Sequence, residues 1–171
     1  MIENPFKKWS DINSSLPEID IDVLAPPPSS GTRDAFVELV LHDVCKSKYK
    51  MDKKTYKENC SALREDGFVT EVGENDNLII EKLTDNSERF GIFGFSFLDQ
   101  NRDRVQGSFV DGIEPSFDNI ADGSYKVSRP LYFYVKKEHI GVVPGIEDYT
   151  DYFMSLSIEG GPLEDAGLIP N

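Results

Sequence analysis

The sequence predicts an α/β domain. Short β-prone apolar runs alternate with amphipathic runs along the chain. A Ser-Gly-Thr turn stands where the first strand gives way to a helix, and glycines punctuate a later apolar run at 90–95.

Residues 5–16 are expected as a short helix with a polar exit, and 20–25 alternate apolar and polar side chains as a strand does. Pro26, Pro27 and Pro28 end that strand. The run 32–46 then places Phe36, Val37, Val40, Leu41 and Val44 on one helical side. A more polar helix is expected at 52–64. Asn75-Asp76-Asn77 offers capping side chains to an apolar helix over 78–83. Residues 90–95 read as a buried strand whose Gly91 and Gly94 admit the close approach of another backbone. A helix over 96–103, a strand over 105–110 and a turn at Asp111-Gly112 follow, then a short helix over 115–121 that stops at Gly123. The β-prone run 128–135 is expected as a strand with its aromatic side chains in a core. After Pro144 a helix passes through Tyr149, Tyr152 and Phe153, and the tail at 160–168 reads as a turn and one helical turn.

A chain of 171 residues holds one domain with a real core, or two small lobes. Its net charge of -13, from 31 acidic and 18 basic residues, weighs against nucleic acid. It does not weigh against a small anion. Exposed charges are screened beyond about 8–10 Å, so a dehydrated pocket answers to its own dipoles and nearest charges. No apolar run approaches the ~20 residues of a membrane-spanning helix, and the first residues lack the apolar core of a secretory signal. The chain is therefore cytosolic, a mature form, or an excised piece of something longer. Cys45 and Cys60 fit no zinc spacing, and His42 and His139 are isolated, so neither a metal nor a cofactor is expected. The Lys- and Tyr-rich insert between the cysteines reads as a surface loop closed by a disulfide, which would imply an oxidising compartment. The alternative is two reduced, semi-buried cysteines.

The candidate binding set is Ser30, Gly31, Thr32 and Arg33, with Ser29 and Asp34 around it. The first N–H groups of a helix have no internal partner and carry the positive end of its dipole. Arg33 adds a planar fork suited to phosphate oxygens. Taken alone, the same residues describe an ordinary helix cap beside an exposed arginine. The chain has no Gly-x-Ser-x-Gly elbow, no Walker A loop and no His-rich metal motif, so an enzyme fares poorly.

Several stretches carry a family resemblance in order: 8–13, 28–36, Glu74-Asn75-Asp76-Asn77-Leu78, Gly91-Ile92-Phe93-Gly94-Phe95-Ser96, Asp111-Gly112-Ile113-Glu114-Pro115, 125–132 and Gly167-Leu168-Ile169-Pro170. Over nearly its whole length the chain resembles the C-terminal two-thirds of the periplasmic phosphate-binding proteins of Pst-type phosphate ABC transporters. That resemblance implies a two-lobed type II binding-protein fold. Residues 1–127 would form the second lobe, a mixed sheet flanked by helices. Residues 128–171 would be the strand and helix that return to the first lobe. It further implies inorganic phosphate as ligand, a membrane permease as partner, a periplasmic location and no covalent chemistry.

By the same resemblance, Ser30, Gly31 and Thr32 supply hydroxyl and backbone donors. Many members place a guanidinium four residues before the serine. Pro26 stands there in this chain, and Arg33 is the expected substitute. The family's first-lobe Thr, Ser and Asp ligands have no counterpart here, so half a site is expected. The strand at 131–135 then needs another partner, through a homodimer, repacking or exposure. Three function classes remain: phosphate capture for uptake, a stand-alone interaction module with weak or no phosphate binding, and a hydrolase of phosphate esters.

Overall fold

A parallel sheet of three short strands organises the first part of the chain. The computed structural model describes residues 4–158 and 160–170, in two units, Met1–Gly107 and Ser108–Asn171. In the first unit β1 (Val23–Ala25) lies between β2 (Val69–Glu71) and β3 (Phe90–Gly91), with Val23 opposite both Val69 and Phe90. The expected α/β lobe is present, with its three strands all parallel where a mixed sheet was anticipated. Each return between parallel neighbours needs a crossover, and helices supply it.

The first crossover begins with α2 (Gly31–Phe36), runs through a π-helical turn (Val37–His42) into α3 (Asp43–Lys48), and is followed by α4 (Lys53–Asn59). This agrees with the helix expected at 32–46, while the helix expected at 52–64 ends early, at Asn59, and one further correction applies. A π turn inserts an extra residue and rotates the following face by about 100°. Val44, expected on the apolar side, is therefore 44% exposed, and Cys45 is half-buried in its place. Cys45 and Cys60 form the disulfide.

The second crossover is α5 (Asp76–Asp85), capped by Asn75 as expected. Its Ile79 joins Leu24 and Val72 in the core, with Leu83 and Phe93 packed against them. α5 seats directly on β3: a Cβ on Gly91 would lie 2.7 Å from Ile79 Cγ2 and 2.8 Å from Leu83 Cδ1. The neighbours that require this glycine are thus helix side chains, not the second backbone the sequence led us to expect. β3 is also shorter than 90–95. Its ladder ends with Ile92 N–H donating to Leu24 O at 2.9 Å, and Gly94 then caps α6 (Phe95–Asp99). Near the N-terminus, α1 is confined to Trp9–Ile12, and the Trp9 ring packs on Phe90 at 4.7 Å.

The strand expected at 105–110, across the end of the first unit and the start of the second, is absent. Val110 and Ile113 form only an isolated antiparallel bridge around Asp111 and Gly112, whose φ values are 51° and 81°. Ser116 caps α7 (Phe117–Ala121), and Gly123, with φ 75°, ends it. The run 128–135 is not a strand, and its aromatics are not in a core. Leu131, Tyr132 and Tyr134 are 74%, 72% and 90% exposed, and no described residue hydrogen-bonds the backbone of 131–135. A β-prone run becomes a strand only where a neighbour completes its ladder, and the second unit offers none among its described residues. Beyond it lie α8 (Ile146–Ser155), whose Phe153 meets Phe133 edge-on at 5.3 Å, and α9 (Pro162–Asp165).

Two outcomes follow for urea unfolding. Gly91→Ala forces Ile79 and Leu83 aside and is expected to lose about 1–3 kcal/mol, as overpacking typically does. Opening the Cys45–Cys60 bridge, which spans 15 positions, is expected to lose about 3 kcal/mol on the chain-entropy account.

Candidate functional site at the carboxyl edge of the sheet

The strand order β2-β1-β3 fixes where a site can form. The chain leaves β1 for one neighbour and later crosses back past β1 to the other. Right-handed crossovers put the two returns on opposite faces of the sheet. The loops after β1 and β3 then diverge, and doubly wound sheets bind ligands in that crevice, at the carboxyl ends of the strands. Three helix starts reach this edge: α2 after β1, α5 after β2 and α6 after β3. Side chains tie the loops together. Ser29 Oγ donates to Glu74 Oε1 at 2.5 Å, and Asp76 Oδ2 accepts from Gly94 N–H at 3.2 Å.

At the start of α2, Ser30 is extended (φ -79°, ψ 134°), and its Oγ accepts from Thr32 N–H at 3.2 Å. One of the amides expected to face a ligand is therefore engaged by the cap. Thr32 Oγ1 has no hydrogen-bond partner among the described residues. A Cβ built on exposed Gly31 would meet no atom within 4 Å, so the turn opens to solvent.

Arg33 is the unusual member of the set. It is 7% exposed, not an exposed arginine beside a helix cap. Its Nη1 donates to Pro26 O at 3.1 Å and pairs with Glu71 Oε1 at 3.1 Å. Nε and Nη2 have no partner among the described residues. Asp34 is exposed and forms no pair with Arg33. The carboxylate on that guanidinium is Glu71, in β2, a strand the sequence did not disclose.

Asp76 was also missed as anything more than part of a cap. Asn75 does the capping, accepting from Asn77 N–H at 3.0 Å, which leaves the Asp76 carboxyl turned toward Gly94. Asp76 is 7% exposed, and burial pushes its carboxyl above the usual range, opposed by the Gly94 hydrogen bond.

A serine–histidine pair does occur, away from this edge. His42 Nε2 lies 2.9 Å from Ser61 Oγ, but the Ser61 hydroxyl donates to Lys57 O at 2.8 Å. The hydrogen between the two side chains therefore comes from the imidazole, and a serine that receives it is not being activated as a nucleophile. The pair instead fixes α4 to the π turn, with His42 against the Tyr56 ring at 5.1 Å. Among the described residues no group of three His, Cys, Asp or Glu side chains could hold a metal, and no helix is long and apolar enough to cross a membrane.

The raised Asp76 pKa has a signed consequence. The native state holds that proton more readily than the unfolded chain. Stability is therefore lost as pH rises from the ordinary carboxylate range through the folded pKa. Asp76→Asn keeps an acceptor for Gly94 and removes the buried charge. It is expected to be at least as stable as the parent at pH 7, with the difference shrinking below about pH 4. Urea unfolding at both pH values checks this, and a variant weaker at pH 7 than in acid contradicts it.

The family model for the PBP superfamily domain matches residues 2–157. The phosphate-binding protein PstS of Staphylococcus haemolyticus is 31% identical over 168 residues, covering 95% of this chain and 46% of that protein. PstS of Staphylococcus saprophyticus is 30% identical over 168 residues, covering 95% and 45%. The chain thus spans less than half the length of the curated relatives it matches. A possible phosphate-binding protein from Planctomyces limnophilus superposes with a TM-score of 0.60 at 22% identity, over 89% of this chain and 49% of that one. PstS from Borrelia burgdorferi superposes at 0.55 and 17% identity, over 87% and 52%. The chain resembles these PstS phosphate-binding proteins, and by the match over most of its length it belongs to the PBP superfamily domain family.

Proposed function

We propose that the carboxyl edge of the sheet binds inorganic phosphate, as one side of the site of a solute-binding protein that delivers phosphate to the permease of an ABC transporter. The observation that carries this reading is Arg33: a guanidinium more than nine-tenths buried, with Nε and Nη2 unengaged, in the first turn of the helix that Ser30 caps. The unengaged nitrogens are not among the fully buried atoms that lack a partner, so they reach solvent, where an anion can replace water on a charge held in place through Nη1. The Ser30 and Thr32 hydroxyls and the positive end of α2 add donors of the right kind. The names of the Staphylococcus relatives point to the same ligand.

Binding of this sort needs donors and closure, not a cofactor or a covalent step. A periplasmic or otherwise extracytoplasmic setting accords with the Cys45–Cys60 bridge, because such bonds persist in oxidising compartments. In this reading residues 1–127 correspond to one lobe of a two-lobed protein. Residues 128–171 are the segment that returns to the other, for which the longer relatives leave room. The unpaired backbone of 131–135 then joins a sheet edge supplied by that lobe or, in its place, by a second copy of the chain.

Glu71 holds Arg33 Nη1 and competes with any incoming anion. Isothermal titration with phosphate should therefore give opposite signs at the two positions. Arg33→Ala removes a charge-assisted donor set and is expected to weaken binding by about tenfold or more. Glu71→Gln is expected to strengthen it by several-fold. Arg33→Lys keeps the charge without the fork and should fall between parent and alanine. Unchanged affinity in folded Arg33→Ala and Glu71→Gln variants would overturn the assignment.

A further inference from the structure

We propose that the disulfide-closed knob formed by α3, α4 and the turn between them is a docking surface for anionic phospholipid headgroups. Six of the chain's 18 basic residues, Lys46, Lys48, Lys50, Lys53, Lys54 and Lys57, fall between Cys45 and Cys60. All six are exposed, and among the described residues only Lys54 has an ion pair, with Glu58 at 3.9 Å on an open face. Lys53, Lys54 and Lys57 sit at i, i+1 and i+4 of α4, within an arc of about 100°. Lys50 occupies the turn in the left-handed region (φ 52°), and the Lys48 ammonium lies 5.7 Å over the ring of Tyr49, itself 59% exposed.

The carboxylates of the segment only partly offset this patch: Asp52 and Glu58 stand against six lysines, an excess of four positive charges (6 − 2). Asp52 accepts from Lys54 N–H, Thr55 N–H and Thr55 Oγ1 at 3.0, 3.1 and 2.6 Å in capping α4, and these bonds hold its carboxyl below the usual range, ionised. The knob is also stiffened from two sides, by the Cys45–Cys60 bridge and by the His42–Ser61 hydrogen bond. It presents a preformed array of exposed ammonium groups, of which Lys54 alone has an ion pair among the described residues.

The overall charge of -13 does not forbid an anionic partner, because screening beyond about 8–10 Å leaves a surface in contact with the knob facing the lysines alone. The kind of cation decides which partner. The segment contains no arginine, the residue that protein interfaces favour at their desolvated centres, while lysine is depleted there. Hydrated point charges on flexible stems suit diffuse attraction to a headgroup layer, and clusters of four to eight of them are the usual footprint of an anionic bilayer. Tyr49 adds an amphipathic ring of the type that settles at headgroup depth.

The test is co-sedimentation of the intact, oxidised chain with vesicles of phosphatidylglycerol and phosphatidylcholine in equal parts, against vesicles of phosphatidylcholine alone. The parent is expected to pellet with the first and not the second, and to be released by high salt. Lys53→Glu, Lys54→Glu and Lys57→Glu combined should lower the partition coefficient by at least ~100-fold, at roughly fivefold per lysine lost, with thermal melting and the disulfide unchanged. Equal partition onto both vesicles, or vesicle binding by the triple variant equal to the parent's, would overturn the proposal. So would saturable binding of soluble polyphosphate without vesicle binding, which would make the knob a site for a free polyanion. Salt-sensitive self-association without vesicle binding would assign it to the acidic surface of a second copy.

Discussion

β1 hydrogen-bonds to a parallel neighbour along both of its edges, and a parallel neighbour can be reached only by a crossover. Most of what matters in the first unit follows from that double pairing. The first crossover must start where β1 ends, so the cap of α2 opens at the carboxyl edge of the sheet. The second must cross back past β1, so α5 starts at the same edge and packs on β3, where only Gly91 admits Ile79 and Leu83. Three strands of two or three residues would be a weak frame in isolation. The cluster of Leu24, Val72 and Ile79 locks them to one helix and makes the edge a fixed platform.

The platform is electrostatically uneven. A chain with a large acidic excess has buried one arginine and one aspartate at the same edge, with a glutamate on the arginine and a backbone amide on the aspartate. Burial raises the stakes of each contact, since unsatisfied charge in a dry site costs far more than on the surface. Pro26 and Glu71 engage only Nη1 of Arg33 and leave Nε and Nη2 within reach of solvent, which is why the phosphate reading rests on it more than on the serine and threonine hydroxyls. Six of the 18 basic residues are gathered into the disulfide-closed knob, so two proposed places for an anion are built on different physics: a largely buried fork at a helix start, and an exposed field of hydrated ammonium groups.

The local features were legible in the sequence because they are local. Ser30 and Asn75 cap the helices they were expected to cap, Asp111-Gly112 turns the chain, and Gly123 ends α7. The cysteine pairing was legible as one of two outcomes, since the polar insert between them is short enough to close. What escaped depends on partners distant in sequence. β2 is three residues long with two of them exposed, so it carries no alternating signal, and Glu71 was lost with it. Val44 was misplaced because a π turn shifts the helical phase, and composition does not announce one. The run 128–135 has every intrinsic preference for a strand and lacks only the neighbour that would make it one. Asp76 was read as cap chemistry because its partner, Gly94, is 18 residues away.

The central claim is that a phosphate ion is received at the carboxyl edge of the β2-β1-β3 sheet. The most direct measurement is a residue-resolved NMR titration of the folded chain with inorganic phosphate. Saturable shifts should appear in the amides of Ser30, Gly31, Thr32 and Arg33 and in the Arg33 side-chain N–H signals, and spread to Glu71, Asp76 and Gly94. Shifts confined to the lysines between Cys45 and Cys60, or no saturable shift at the edge of a well-folded protein, would contradict the account.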